Sequence, residues 1–496
     1  FGAPQENKPD PVRFSRRGPK GGGRRPGDRP GGKSGRFPEA RREIPAAFAR
    51  AGPRGGGPAL PKSLGGITVK ADMLRAALRQ EETLERFAHI YACGKEEALR
   101  YTARVEKAID RFEEWFGKGR DLYVFSAPGR TEVGGNHTDP QHGRVLAAGV
   151  NLDAIAVAAK RDDRTACVHS EGYDPDIVEV DDPVLKEGES GHSAALLRGM
   201  CARFAELGCR LSGFDAYTTS NVLSGSGLSS SAAFEVLLGT MLNGMFFDGA
   251  LTALQIAQIG QYAENKFFGK PCGLMDQAAS SIGSFITIDF RDTEKPEVRQ
   301  IHFDFAKSGY ALCITDTHGS HSDLTPDYAA VPAEMRAVAA FFGKDVLREV
   351  DEDEFFARLP ELRGKVSDRA ILRAIHFFGD NARVAKQVEA LESGDFEEFK
   401  RLVIESGRSS YMYLQNVYSP THADEQGVSL ALAMCERLLA PVGGAWRVHG
   451  GGFAGTVQSF VPLDFVDTFA KEMDAVFGAG SCHRLAIRPV GGVRLL

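Results

Sequence analysis

The sequence predicts a two-domain protein of the α+β class. Its 496 residues, 43% of them hydrophobic, exceed what one hydrophobic core usually covers, so two or more domains are expected. Apolar residues recur at helical spacing in some segments and form short strand-like runs in others, without a repeating period. The chain also restarts with a new strand after about Asp304. Mixed helices and strands around two cores are what the α+β class describes.

A basic segment precedes the predicted domains. Residues 1–66 contain 15 Lys and Arg against 5 Asp and Glu, whereas the remaining residues contain 45 against 61. The same segment holds 15 Gly and 11 Pro, and its apolar residues show almost no periodicity. Because such a composition buries too little apolar surface to offset the entropy of ordering, we expect residues 1–72 to form a disordered extension.

The first domain is expected over residues 73–303. In residues 73–116, apolar residues at helical intervals among many charges predict two or three amphipathic helices. A strand at residues 122–125 then leads into a polar loop at residues 126–143. One or two further strands are predicted at residues 145–159, buried helices at 228–246 and 254–268, and a strand at 285–290.

The second domain is expected over residues 304–496. It begins with a strand at residues 310–314 and ends with a helix in which Phe469 and Met473 lie four residues apart on one face. Between them, helices are predicted around residues 329–343, 366–377, 380–392 and 424–439, and a strand at 456–461.

The composition excludes several classes of protein. Residues 145–159 form the longest apolar run, but Asn151 and Asp153 interrupt it, and a membrane helix needs about 18 or more apolar residues. The amino terminus lacks the basic, apolar and small-residue order of a secretory signal. The eight cysteines are scattered without paired CxxC spacing. We therefore expect no membrane span and free thiols in a reducing cytoplasm.

A loop of glycines and serines at residues 223–233 opens directly into an apolar helix. Exposed amides and the positive end of a helix suit a polyphosphate, and a serine hydroxyl can add one ligand to magnesium. The loop has neither the Gly-Lys-Ser/Thr of a Walker motif nor the GxGxxG of a dinucleotide-binding turn. A serine N-cap after a flexible loop is the alternative interpretation. The candidate phosphate-binding residues are Gly225, Ser226, Gly227, Leu228, Ser229, Ser230 and Ser231.

Polar and charged side chains crowd residues 127–139. Arg130, Asn136, His137 and Asp139 all follow the predicted strand closely. This density fits recognition of a hydroxylated small molecule, and a solvated surface loop is the alternative.

Residues 450–455 include four glycines. Such a cluster permits close approach of the backbone to a ligand, but it equally permits a tight turn between strands.

The last candidate segment is residues 264–277. Asp276 follows a turn that contains Pro271 and Gly273, and Gln277 comes directly after it. Asp276 is a candidate general base toward a hydroxyl, as in phosphotransferases, and a helix N-cap is the alternative.

In this order, the four segments resemble motifs of the sugar-kinase branch of the GHMP kinases, and specifically the galactokinases. Residues 130–139 are similar to the galactokinase signature, 225–233 to the phosphate loop, 271–276 to the catalytic loop and 450–455 to the third motif. The resemblance extends from about Met73 to the C-terminus. It implies a two-domain GHMP kinase fold, with a ribosomal-protein-S5-like N-terminal domain, an α+β C-terminal domain and the active site between them.

The resemblance also implies an activity and roles for particular residues. The γ-phosphoryl group of MgATP would pass to the C1 hydroxyl of galactose and give α-galactose 1-phosphate. Asp276 matches the base or hydroxyl-orienting carboxylate, and Arg130 the cation that keeps Asp276 ionised and steadies the transferred charge. Glu264 and Ser230 match magnesium ligands, with Ser231 as the alternative serine. The residues that match sugar contacts are Asn136, His137, Asp139, Gly273 and Tyr328.

Three positions depart from the galactokinase pattern. Asn136 stands where galactokinases commonly have Glu; its amide can still bond a hydroxyl, but a charge is lost. Pro140 follows the signature where an aromatic residue is usual, and Leu223 replaces a proline that often opens the phosphate loop. Neither of the last two changes removes a catalytic group.

Two alternatives within the family remain. One is a GHMP kinase for N-acetylgalactosamine, a uronic acid or mevalonate. The sequence has no added positive charge beside Asn136 or His137 for a uronate, and the His-Thr-Asp run favours a sugar over mevalonate. The other is a galactose and ATP sensor without chemistry, against which the presence of Arg130, Glu264 and Asp276 argues.

A nucleic-acid binder is the third alternative, suggested by the Arg/Gly-rich extension. That segment has few aromatic rings, among them Phe14 and Phe37, and the rest of the chain is acidic, so such binding would be nonspecific. We therefore expect a cytoplasmic kinase with galactose and ATP as its partners and no specific nucleic acid or membrane. A monomer is expected, with an oligomer left open.

Overall fold

A computed structural model describes residues 69–223, 227–319 and 324–496, all within one compact unit, Gly66–Leu496. Residues 1–68, which include most of the predicted extension, lie outside the described residues. So do Gly225 and Ser226 of the candidate phosphate loop.

Three helices lead into the first sheet, as predicted from the periodicity of residues 73–116. A short strand β1 (Val69–Lys70) comes before them, and they are α1 (Ala71–Leu78), α2 (Glu81–Ile90) and α3 (Lys95–Phe116). In α3, the buried residues Ala98, Val105, Ile109 and Phe112 recur at helical spacing, while most of the charged residues between them face outward.

Within the described residues, nine strands form one sheet. The strands and helices of this part are β2 (Asp121–Gly134), β3 (Arg144–Lys160), β4 (Thr165–Ser170), β5 (Asp176–Glu179), α4 (Ser193–Glu206), β6 (Phe214–Ser220), α5 (Ser230–Phe246), α6 (Ala253–Ala263), α7 (Met275–Ile282), β7 (Phe285–Asp289) and β8 (Glu297–Ile301). The order β1-β2-β3-β6-β4-β5 is extended by β7 and β8 beside β3. All pairs are antiparallel except β4 with β6.

Alternate residues of β2 face opposite layers of helices. Leu122 and Val124 pack with the leading helices, whereas Phe125 and Ala127 pack with α4 and α5. The strand therefore lies between two hydrophobic layers, which explains why residues 122–125 are largely apolar.

The polar segment at residues 126–143, predicted as a loop, is strand over its first half. β2 continues to Gly134 and stays paired with β3, with Arg130 opposite Gly149 and a register irregularity on each side of that stretch. The prediction was wrong because it relied on local polarity. The strand stays extended because it pairs with β3 and because distant residues form hydrogen bonds with its polar side chains.

A second sheet lies in the C-terminal part. Its elements, with the helices around it, are β9 (Tyr310–Asp316), α8 (Thr325–Phe341), α9 (Glu352–Ala357), α10 (Leu359–Leu362), α11 (Asp368–Ser393), α12 (Phe396–Ser409), α13 (Gly427–Leu439), β10 (Ala445–Val448), β11 (Thr456–Pro462), α14 (Val466–Phe477) and β12 (Cys482–Leu485). The four strands run antiparallel in the order β10-β11-β9-β12. The last strand, β13 (Val493–Arg494), returns to the first sheet beside β2.

The helix predictions in this part were correct in type but not in extent. Residues 366–377 and 380–392, predicted as separate helices, form the single helix α11, because its buried residues continue along one side for the whole length. The helix α12 was not predicted, although its first residue, Phe396, lies in the core.

Phenylalanine rings connect the two sheets. Phe399 of α12 packs edge to face against Phe460 of β11, with ring centroids 5.4 Å apart, and against Phe285 of β7 at 6.4 Å. These rings belong to one buried cluster that also contains Leu312 and Ile314 of β9. The boundary between domains near residue 304 stays a prediction.

No helix among the described residues has the length and apolar character required to cross a membrane.

Candidate active site

An arginine and an aspartate from distant parts of the chain form a two-point ion pair. Arg130 of β2 donates from Nε to Oδ1 of Asp276 at 2.7 Å and from Nη2 to Oδ2 at 2.6 Å. The two residues are 146 positions apart in the sequence. Such a fork-to-carboxylate geometry fixes the plane of the carboxylate as well as its position.

The surroundings of Asp276 keep it ionised. Burial alone would raise the pKa of its carboxyl group, but the Arg130 charge together with the hydrogen bonds from Arg130 and Ser229 outweighs burial. The pKa of Asp276 therefore lies below its usual value, while 31% of the side chain stays exposed to a ligand. Asp276 lies in the first turn of α7, and the N-cap is Leu274, so the N-cap interpretation was wrong.

The described part of the candidate phosphate loop packs onto Arg130. The backbone N–H of Arg130 donates to Leu228 O at 3.0 Å, and its Nη1 donates to Gly227 O. Ser229, at the N-cap of α5, has a left-handed backbone with φ 52° and donates its hydroxyl to Asp276 instead of capping the helix. The first turn of α5, which holds Ser230 and Ser231, has no side-chain cap from Ser229, so its N–H groups are available to an anion.

Glu264 lies at the point where α6 changes into a π-helical turn, Glu264–Phe268. Its side chain is 4% exposed, and its only described cation is Lys270, whose Nζ lies 3.3 Å from Oε1. Gln277 donates to Oε2 at 2.8 Å. π-helical turns are often found at functional sites, where they change the direction of a side chain.

Two of the predicted sugar-contact residues bind the glycine-rich segment at residues 450–455. His137 Nε2 donates to Gly451 O at 2.9 Å, and the Tyr328 hydroxyl donates to Gly452 O at 2.8 Å. Burial lowers the pKa of His137 to about 4, so it is neutral at pH 7. A Cβ atom on Gly451 would lie 2.7 Å from a ring carbon of Tyr328, which explains the need for glycine at that position.

Asp139 and Gly273 face each other closely. A Cβ atom on Gly273 would lie 3.2 Å from Asp139 Oδ2, so glycine leaves that carboxylate accessible. Burial raises the pKa of Asp139 to about 7, and the nearby charges of Glu132 and Asp276 add to the effect. Because the described residues offer this carboxylate little stabilisation of its charge, it is suited to accept hydrogen bonds from a polar ligand.

Asn136 is buried, and protein groups occupy its hydrogen-bonding positions. Its Nδ2 donates to Glu132 Oε1 at 2.9 Å and to Gly450 O at 2.7 Å. Its Oδ1 accepts from Asn416 at 2.8 Å and from Ser410 at 3.2 Å. The structure thus places Asn136 where it holds the glycine-rich segment, with no described hydrogen-bonding capacity left for a ligand.

Comparisons with known proteins show the family of this chain. The family model for the GHMP kinases N terminal domain matches residues 195–284, and that for the galactokinase galactose-binding signature matches residues 110–160. A galactokinase of Streptomyces coelicolor is 34% identical over 370 residues, which cover 75% of this chain and 92% of that protein. The chain belongs to the galactokinase family. A second galactokinase, from Mannheimia succiniciproducens, is 32% identical over 73% of this chain and 90% of its own length.

Solved structures confirm the GHMP kinase fold expected for this family. The galactokinase of Lactococcus lactis, crystallised with galactose, superposes with a TM-score of 0.66 over 79% of this chain and the whole of that chain, at 24% identity. The mevalonate kinase of Methanococcus jannaschii gives a TM-score of 0.53 over 73% of this chain and 98% of its own, at 13% identity.

Sequence reasoning about this family member missed several buried polar residues. Glu132 accepts from Arg447 at 3.1 Å as well as from Asn136, and Glu235 accepts from Gln277 at 2.9 Å. A signal was present for Glu235, because it is the one charged residue in the apolar helix α5. Glu132 lies inside the segment that resembles the galactokinase signature, but no role was predicted for it because its buried partner Arg447 is 315 positions away.

Proposed function

We propose that this chain transfers the γ-phosphoryl group of ATP to the C1 hydroxyl of galactose and produces α-galactose 1-phosphate and ADP. Membership in the galactokinase family supports the reaction and the substrates. The two-point ion pair between Arg130 and Asp276 is the observation that carries the proposal, because it supplies an oriented, ionised carboxylate beside the start of α5.

Asp276 orients the C1 hydroxyl and takes its proton as the oxygen attacks. The bond from that oxygen to the γ-phosphorus forms while the bond from the γ-phosphorus to the bridging oxygen breaks, and ADP leaves. Because Arg130 lowers the pKa of Asp276, positioning of the hydroxyl contributes more than strong basicity. Arg130 also places positive charge where the transferred group carries negative charge.

The amino-terminal end of α5 is the proposed site for the phosphates of ATP. Its first N–H groups and the helix dipole favour an anion. The proposed residues are Gly225, Ser226, Gly227, Leu228, Ser229, Ser230 and Ser231, of which the first two stay predictions outside the described residues.

Magnesium is the proposed cofactor, with Glu264 and Ser230 as its protein ligands. The residues fit this ion: among the described residues, Glu264 is a buried carboxylate with one long contact to a cation, and nearby Glu235 Oε1 is buried without a hydrogen-bond partner. Few protein oxygens are needed, because magnesium retains water and phosphate ligands. Bound magnesium would neutralise developing charge on the phosphates. Ser231 stays an alternative ligand, since it lies four residues before Glu235 and so on the same helix face.

The sugar is proposed to lie against Asp139, Gly273, His137 and Tyr328. Asp139 has a carboxylate accessible past Gly273 and suited to ring hydroxyls. His137 and Tyr328 line the adjoining glycine-rich segment. The contact of Asn136 with the sugar stays a prediction, because all of the described hydrogen bonds of Asn136 are to protein groups.

We further propose a cytoplasmic monomer without a membrane or nucleic-acid partner. The acidic composition after residue 66 disfavours a nucleic-acid partner.

A direct assay tests the function. Purified protein with MgATP is offered galactose, N-acetylgalactosamine, glucuronate and mevalonate separately, and the phosphorylated product is identified by nuclear magnetic resonance. We expect the highest kcat/KM with galactose and phosphate at C1. Faster turnover of another acceptor would overturn the substrate, and tight galactose binding without any product would favour a sensor. Asp276→Asn serves as the inactive control.

A further inference from the structure

A single side-chain amide joins two buried carboxylates beside the proposed magnesium site. Gln277 Nε2 donates to Glu264 Oε2 at 2.8 Å and to Glu235 Oε2 at 2.9 Å. All three side chains are almost completely buried. Since an amide nitrogen has two protons, these two bonds use its full donor capacity.

The two bonds fix the direction of the Gln277 amide. If the amide were rotated by half a turn, its oxygen would face two carboxylate oxygens, and both would lose their donor. Gln277 Oε1 and Glu235 Oε1 have no hydrogen-bond partner among the described residues. The one further described bond of the amide nitrogen, to Cys272 Sγ at 3.6 Å, favours the same orientation. Glu235 therefore provides a second acceptor that holds the amide nitrogen toward Glu264.

Three helices converge at this amide. Glu235 comes from α5, Gln277 from α7, and Glu264 follows the end of α6. Gly260 lies on α6 one turn before Glu264, and a Cβ atom there would lie 3.2 Å from Glu235 Oε2 and 3.3 Å from Gln277 Cγ. The close approach of the helices leaves Glu264 little freedom to turn away.

We propose that Gln277 and Glu235 are positioning residues that hold the Glu264 carboxylate in the direction required by the nucleotide-bound metal. The inference rests on the magnesium site of the proposed function. Gln277 also follows Asp276 directly on α7. The start of this helix therefore positions both Asp276, which receives the hydroxyl proton, and the Glu264 carboxylate, which faces the metal. Residues that orient a metal ligand typically change metal affinity by about 10–100-fold when they are replaced.

The test measures Mn²⁺ binding by electron paramagnetic resonance, in the presence of the non-hydrolysable ATP analogue adenylyl imidodiphosphate. Wild-type protein is compared with Gln277→Met, which keeps the volume but removes the donor, and with Glu235→Leu and Glu235→Gln. We expect Gln277→Met and Glu235→Leu to weaken Mn²⁺ binding about 10–100-fold, with galactose affinity unchanged. Glu235→Gln retains an acceptor oxygen for Gln277 and should stay within about threefold of wild type.

The outcomes separate this inference from the proposed function. Wild-type Mn²⁺ affinity in Gln277→Met, or equal losses in Glu235→Gln and Glu235→Leu, would overturn the positioning role alone. If wild-type protein with the analogue binds no Mn²⁺, the metal assignment of the proposed function fails as well. Melting temperatures are recorded for every variant; should Gln277→Met unfold, the comparison of the two Glu235 variants decides.

Discussion

Arg130 binds both carboxylate oxygens of Asp276, at 2.7 and 2.6 Å, and thereby joins the middle of β2 to the first turn of α7. Ser229 donates to the same carboxylate from the start of α5. The carboxylate thus has a fixed plane, a fixed charge state and a fixed distance from the proposed phosphate site.

Asp276→Asn should abolish most of the phosphoryl transfer. The amide cannot accept the hydroxyl proton, so kcat is expected to fall by about 10²–10⁴-fold. The galactose dissociation constant, measured by calorimetry, should change by less than about threefold, because Asp139 and its neighbours remain. A variant that retained more than a tenth of wild-type kcat would show that Asp276 is not the base.

Arg130→Met should move the acidic limb of the kcat profile to higher pH. With the guanidinium present, the pKa of Asp276 lies below its usual value; without it, burial raises that pKa. We expect a shift of at least about one pH unit together with a lower maximum. Arg299→Met, which removes an exposed arginine paired with Glu392, is the matched control and should leave the profile unchanged. An unshifted acidic limb in Arg130→Met would contradict the electrostatic role of Arg130.

Asp139 should make galactose binding depend on pH near neutrality. Its pKa of about 7 means that the carboxylate ionises between pH 6 and 8, so galactose KM should fall across that range as the charged acceptor forms. In Asp139→Asn this dependence should disappear and KM should rise about 10–100-fold. The same slope in variant and wild type would assign the titration to another group.

Ionisation of Asp139 should strengthen galactose binding, but it should destabilise the folded protein. Because its pKa is raised in the folded state, its contribution to stability is fully present below the unfolded value near 4 and is lost as pH rises through about 7. Asp139→Asn should therefore raise the melting temperature at pH 8 by about 1–3 °C. At pH 5 the difference should be much smaller, and an exposed change such as Asp304→Asn should show no such pH dependence.

Asp153 should be important for stability without being part of the site. It is completely buried in β3, accepts from the Tyr91 hydroxyl at 2.7 Å, and pairs with Arg104 and with the completely buried Arg488. Asp153→Asn would leave Arg488 buried without its counter-charge, at a cost of about 3–5 kcal/mol in the free energy of unfolding. Urea unfolding measures this loss; Lys307→Gln, which breaks an exposed pair, should leave the free energy of unfolding nearly unchanged.

The stabilising contribution of Asp153 should be lost at acidic pH. Burial would raise its pKa, but the charges of Arg104 and Arg488 lower it below the usual value. Its stabilising contribution is therefore present above the unfolded pKa and is lost as pH falls through the lower folded value. Wild-type protein should lose stability more steeply than Asp153→Asn below about pH 4, and parallel curves would contradict this assignment.

Local patterns predicted the strongly periodic elements, but they failed where distant residues decide the conformation. The helices from α1 to α3 and the strand β9 follow from spacing and residue type, and the structure confirms them. The strand through Arg130 could not be predicted, because Arg130, Thr131 and Glu132 have side-chain partners more than a hundred positions away. The helix α12 was missed although Phe396 and Phe399 face the core in the expected way.

The contacts of the candidate site were likewise predicted only in part. Arg130 and Asp276 were paired through a resemblance of motifs, and the structure brings them into contact. The bonds of Asn136 to Glu132 and Asn416, and the amide bridge of Gln277, had no counterpart in the sequence analysis.

By itself, the sequence determined the order of the motifs, the types of chemical group they supply and the secondary structure of strongly periodic segments. These properties depend on residues a few positions apart, where helical or strand geometry relates spacing to direction. Only the tertiary structure decided that Asn136 bonds inward and that Glu235, Glu264 and Gln277 meet at one amide. These outcomes depend on buried polar groups finding partners from other helices and strands, because an unsatisfied buried group is costly and its partner can lie anywhere in the chain.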